Sequence, residues 1–174
     1  MKIVLAFTHI APGVREALSA TGRSWDEADV SASDIAYWEL LRDLWAEGQT
    51  FYNVEQDVIV RPDTFDELEA CPEPWCGFPV PYLGGEYPGM ACVKFSSEII
   101  AACPDALDRA GAMSNGNHPP KHWCTTDHFL QRVVLPLTGH RQHVHHPALG
   151  HYRDYGEIPQ PSHGCCGTRV KETE

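Results

Sequence analysis

The chain has 174 residues, 43% hydrophobic and 21% charged, enough for one domain that buries about two thirds of its unfolded surface. Thirteen Lys and Arg against 24 Asp and Glu leave a net charge of −11, so a partner that needs a basic surface, such as duplex DNA or an anionic membrane, meets general repulsion. The 14 Gly and 14 Pro follow no period, which excludes collagen-like and wholly disordered chains. No apolar run approaches the roughly 20 residues of a membrane span, and the opening MKIVLAFTHI turns polar too soon for a signal peptide; a soluble, cytoplasmic protein is the expectation.

In chain order, the apolar run Ile3 to Phe7 suits a strand buried on both faces, ending at Thr8 and His9. Residues 11–29 read mainly as a loop, with one or two helical turns over Val14 to Ala20. Ile35, Trp38, Leu41, Leu44 and Trp45 recur at helical spacing after Ser31 or Ser33, and Gly48 stands where a helix would stop. Phe51 to Val54 is aromatic and β-branched, a second strand, and Val58-Ile59-Val60 continues the apolar character after Glu55-Gln56-Asp57. Thr64-Phe65-Asp66-Glu67 matches a capping box for a short helix through Ala70. Trp75 to Val80 and Met90 to Phe95 read as strands joined by the loop PYLGGEYPG; Ser96 or Ser97 opens a helix ending near Cys103. After a Gly-, Asn- and Pro-rich loop, Asp127 to Leu135 has helical spacing up to Pro136. A last strand is expected over Arg141 to His145, and a frayed tail after Gly156. The order βαβαββαβ predicts a single α/β domain over residues 1–156, a mixed, mainly parallel sheet flanked by helices, with residues 157–174 as a C-terminal tail.

Two compositional features bear on chemistry. Seven Cys without a C-x-x-C pair point to reduced thiols, and eight of the ten His fall between His118 and His151. Glu55 and Asp57 are two apart, so an extended backbone turns both to one face, where two anions repel unless a cation lies between them. The alternative is a solvated turn at a strand end. Position favours a site, because ligands of open α/β sheets gather at the carboxyl ends of strands. Oxygen donors of this kind suit Mn²⁺ or Mg²⁺.

The segment Val54-Glu55-Gln56-Asp57-Val58-Ile59 resembles the D-x-D region of GT-A-type glycosyltransferases, including small lipopolysaccharide-type and phage enzymes. The similarity of arrangement runs from the N-terminal strand through the Trp-bearing helix and WCGFPVPY to a His-rich closing strand. The resemblance implies a Rossmann-like GT-A domain, a nucleotide-sugar donor (a UDP-sugar foremost), and Mn²⁺ or Mg²⁺ held against its diphosphate. It implies Asp57 as metal ligand, with Glu55, where many members have Asp, and Thr8 as further donor-site residues. It also implies a His ligand after the last strand, matched best by His151 and less well by His145, and Asp127 as the base facing an acceptor hydroxyl. Trp75, Tyr82 and Tyr87 border the Gly84-Gly85 loop and would offer stacking faces to a sugar, with ordinary core packing the favoured role for Trp75. The acceptor is a glycan, a protein or a modified nucleic-acid base, and a homo-oligomer stays open; nine Arg against four Lys fits a GC-rich bacterial or phage genome.

Two other readings stay open on the residues alone. His143-Val-His145 can begin an H-x-H centre of a His-rich metal protein or metallohydrolase, although the next acid, Asp154, follows no such spacing. Cys71, Cys76, Cys165 or Cys166 could hold a structural zinc. For Asp127, simple dipole compensation at a helix start is the competing role.

Overall fold

The computed structural model describes residues 1–152 other than 83, 84, 115 and 117; the tail expected from 157 onward, with Cys165 and Cys166, lies outside the described residues. Strands β1 (Lys2–Phe7), β2 (Asp26–Asp29), β3 (Phe51–Glu55), β5 (Trp75–Tyr82), β6 (Gly85–Phe95) and β7 (His143–Val144) form one sheet in the order β2-β1-β3-β6-β5-β7, while β4 (Val58–Ile59) and β8 (Gly150–His151) pair separately. β1 is parallel to β2 and β3, and β5 is parallel to β7; β6 is antiparallel to both of its neighbours. Five of the six strands therefore run one way, and β6 is reversed because it returns from β5 as a hairpin. The mixed, mainly parallel sheet expected from the element order is what forms.

Strict alternation along the strands divides the core in two. Val4 and Ala6 of β1, Phe51 of β3 and Trp75 of β5 enter one apolar cluster, and Ile3, Leu5, Tyr52, Val54, Cys76 and Phe78 enter the other. The first is covered by α2 (Ala36–Ala46), α4 (Ser97–Ala102), α5 (Ala106–Gly111) and α6 (Thr126–Thr138), the second by α1 (Val14–Ala20) and α3 (Thr64–Ala70). Helices on both faces explain why the central strands carry nearly unbroken apolar runs. Phe95 gathers Phe51, Trp45 and Trp75 around it at centroid distances of 5.3 to 5.5 Å, and the indoles of Trp38 and Trp45 donate to the carbonyls of Leu107 and Cys103. Trp75 is a core residue, 1% exposed, with no face left for a sugar.

Several elements differ from the sequence expectation. Asp-Glu-Ala-Asp forms β2 despite its polarity, because an edge strand needs only the backbone ladder to β1 and Glu27 is held by Arg15. The β5–β6 hairpin consumes most of the loop foreseen between Val80 and Met90. Helix α5 was hidden by its length of six residues. The capping box does not form: Thr64 accepts from the Arg61 amide, and Asp63 is the residue before the helix. Pro136 does not end α6, which runs to Thr138 and closes at Gly139, φ 76°; in the last turn a missing N–H removes one bond without leaving a buried orphan.

Candidate active site

β1 and β3 end side by side, and the chain beyond them opens a cavity of about 750 Å³ walled by Phe7, Thr8 and His9, by Glu55, Gln56 and Asp57, by the 31–34 loop, Tyr37 and Trp123. This volume is within the range of small-molecule and cofactor sites. Its position at the carboxyl ends of parallel strands follows from topology: the chain leaving β1 enters α1 on one face of the sheet, the chain leaving the adjacent β2 enters α2 on the other, and the crevice opens where they part.

The three residues of the acidic triplet take three separate partners. Gln56 Oε1 accepts from the Thr8 amide at 2.6 Å, the Thr8 hydroxyl at 3.0 Å and the His9 amide at 3.0 Å, and its main-chain oxygen accepts from the Ala11 amide. It thus ties the end of β1 to the end of β3. Glu55 Oε1 accepts from the Tyr37 hydroxyl at 3.1 Å, and that hydroxyl accepts from Asn53 Nδ2 at 2.9 Å. Burial, with Glu55 beside it, pushes the Tyr37 phenol well above its usual pKa, so it remains a donor to the carboxylate. Asp57 lies beyond the strand end, after the backbone has turned, and its carboxylate meets His151 instead. The expected common face of Glu55 and Asp57 is lost at that turn, although both line the cavity.

Asp57 Oδ2 and His151 Nε2 are 3.4 Å apart, with side chains 4% and 5% exposed. The short β4–β8 ladder, pairing Val58 with His151, sets this distance, and the Tyr152 amide donates to the Asp57 carbonyl. His151 Nδ1 is 3.0 Å from the Pro81 carbonyl, which can only accept, so Nδ1 carries a proton. In the neutral imidazole the Nε2 lone pair then faces a carboxylate oxygen. Two buried electron-pair donors facing each other need a cation or a shared proton between them. The donor set, one carboxylate oxygen and one imidazole nitrogen oriented by a carbonyl, fits a divalent ion of the Mn²⁺ class.

Of the residues singled out from the sequence, Thr8, Glu55 and Asp57 meet at the cavity, and His151 joins them through Asp57. Asp127, in the first turn of α6, accepts from the His128 amide and lies near enough to Tyr37 to raise its pKa. His145 stands elsewhere: its ring packs on Phe78 and His143, and its ligand nitrogen groups with those of Cys71 and His143. The side chains of Tyr82 and Tyr87 lie outside the described residues. Sequence reasoning missed Gln56, Tyr37 and Trp123. Tyr37 is one turn before Leu41 on the buried side of α2, so its spacing signals packing rather than a polar role.

The described residues thus form an open, mainly parallel sheet with one reversed strand, helices on both faces and a cavity at the strand ends. In fold the chain is similar to the crystal structure of a glycosyltransferase involved in the glycosylation of the major capsid of PBCV-1, with a TM-score of 0.55 and 15% identity over 97% of this chain and 95% of that one. No protein-family model matches the sequence, and no curated protein matches it. Among the described residues no helix is long and apolar enough to cross a membrane.

Proposed function

We propose that the protein is a metal-dependent glycosyltransferase that moves a sugar from a nucleotide-sugar donor, a UDP-sugar foremost, to an acceptor hydroxyl. The observation that carries this reading is the buried Asp57–His151 pair, whose aspartate lines the strand-end cavity, and the likeness in fold to a glycosyltransferase supports it. Mn²⁺ or Mg²⁺ would be held by Asp57 and His151, with Glu55 on the same cavity wall; when bound it supplies positive charge against the departing nucleoside diphosphate.

The chain's own residues have separate tasks in this reading. Thr8 and the 31–34 loop receive the nucleoside, and Gln56 keeps the two strand ends in register around it. Tyr37 holds the Glu55 carboxylate in place by its hydrogen bond. Asp127 takes the proton of the acceptor hydroxyl as that oxygen bonds to the anomeric carbon and the bond to the diphosphate breaks. The −11 net charge favours a glycan or protein acceptor over bare duplex DNA.

Calorimetric titration with UDP, GDP and their sugars, with and without Mn²⁺, tests the proposal. Metal-dependent binding that weakens by at least about tenfold in Asp57→Ala and in His151→Ala is expected. Binding indifferent to metal and to both substitutions would refute it.

A further inference from the structure

Away from the cavity, three soft ligands converge where helix α3 ends and the edge strand β7 begins. Cys71, His143 and His145 each offer a ligand atom, and the three atoms lie within 4.8 Å of one another. We propose that Cys71, His143 and His145 form a second metal site, distinct from the Asp57–His151 pair, that takes a zinc-class ion and pins β7 to the end of α3.

The first argument is the state of His145. Its Nε2 is buried and lacks a hydrogen-bond partner among the described residues, a condition that is unfavourable unless a ligand removes it. The ring cannot easily turn away, since it packs on Phe78 at 4.9 Å and Phe78 is wholly buried.

The second argument is the thiol. Cys71 follows α3 directly and is buried, and the neighbouring Cys76 thiol donates to the Leu68 carbonyl. Lys94, 6% exposed, donates to the Cys71 carbonyl at 2.6 Å, so a Cys71 thiolate would lie beside an ammonium that offsets its charge. Arg61 and Lys94 face His145 as cations and Glu67 as an anion, so a doubly charged ion enters only if Cys71 binds it as thiolate and offsets that field. Sulfur and imidazole nitrogen select zinc over Mg²⁺ or Mn²⁺. Tetrahedral zinc, about 2.3 Å from sulfur and 2.0–2.1 Å from nitrogen, holds its ligand atoms about 3.3–3.6 Å apart, so three atoms within 4.8 Å of one another close around it on binding.

The third argument is what the ion would do. β7 has two residues, held to β5 through Cys76–His143 and Gly77–Val144, a weak ladder for a strand at the sheet edge. A metal bridging its two His to Cys71 gives the edge a fixed anchor. The group His118, His122 and Cys124 is the rival location, but there His122 Nδ1 already meets the Cys124 sulfur at 2.9 Å and its amide at 3.3 Å.

Cobalt titration of the full chain, reduced and stripped of metal, tests the site, because thiolate-bound Co²⁺ shows a sulfur-to-metal charge-transfer band. The expected result is one equivalent of Co²⁺ with that band, displaced by Zn²⁺, and a melting temperature raised by Zn²⁺. Cys71→Ser should abolish the band, and His143→Gln should weaken binding by at least about tenfold. His143 is exposed, so its replacement leaves folding intact if the buried Cys71 variant does not fold. No charge-transfer band, undiminished affinity in His143→Gln, or a band that survives Cys71→Ser and disappears in Cys124→Ser would each overturn the proposal.

Discussion

Asp57 and His151 are far apart in sequence and share almost no exposure, so their pairing depends on groups around them rather than on solvent. With Nδ1 donating to the Pro81 carbonyl, His151 Nε2 faces Asp57 Oδ2 at 3.4 Å, and the two share a proton or a cation. Tyr37 has the complementary role on the other side of the cavity floor. Its hydroxyl is the link between Asn53 and Glu55, and Asn53 is 0% exposed. Tyr37→Phe keeps the ring's packing but strips Glu55 of a donor and Asn53 of an acceptor. Urea unfolding should show a loss of about 1–3 kcal/mol, and metal-dependent nucleotide binding should weaken as Glu55 loses its fixed orientation. A variant as stable as the parent would remove Tyr37 from this network.

At the level of elements, two close arrangements carry distinct predictions. Gly111 ends α5 where a Cβ would stand 2.5 Å from Trp38 Nε1, and that nitrogen is committed to the Leu107 carbonyl at 2.9 Å. Gly111→Ala should therefore cost about 1–3 kcal/mol by overpacking, measured by denaturant unfolding. The polar strand β2 depends instead on Arg15, which holds both carboxylate oxygens of Glu27 at 2.8 and 2.9 Å and lowers the Glu27 pKa, chiefly through its hydrogen bond. A lowered carboxylate pKa adds stability above the group's ordinary value, near 4.5, and that stability is lost as pH falls through the folded value. Melting curves across pH 3 to 6 should show a small acid loss that Arg15→Ala flattens, and high salt should reduce it. The same elements mark how far the sequence could be read. β1 and β3 announce themselves as nearly unbroken apolar runs because helices cover both faces of the sheet, and α2 and α6 because packing on it imposes a helical period on their apolar residues. β2 does not, since a solvent-facing edge strand has no apolar pattern to display, and α5 is too short to complete one. At the site, the Glu55-Gln56-Asp57 triplet was visible as an interruption of a buried run, and His151 entered through the family resemblance. The division of labour within the triplet was not visible, because it arises from a turn that reverses the alternation at Gln56.

For the whole molecule, the charge balance and the site together set what binding should look like. A chain of net charge −11 repels a nucleoside diphosphate at long range, and the Asp57 and Glu55 carboxylates repel it again at the cavity; a divalent cation reverses the local sign. Anion and cation should therefore stabilise the fold jointly more than separately. A ligand present at a hundred times its dissociation constant adds about 2.7 kcal/mol to the folded state, and for a chain of this size each kcal/mol shifts the melting temperature by about 2–4 °C. UDP with Mn²⁺ should raise the midpoint by about 5–11 °C, while UDP alone should move it by much less. In Asp57→Ala the joint increment should vanish while any shift from UDP alone remains or grows, because the substitution removes one of the anions that oppose the diphosphate. Zn²⁺ at the Cys71 group would stabilise the protein without nucleotide, so melting with Mn²⁺ after zinc saturation separates the two metals. Equal shifts from UDP with and without Mn²⁺ would mean that the strand-end cavity binds nucleotide by shape alone and that the Asp57–His151 pair has no part in it.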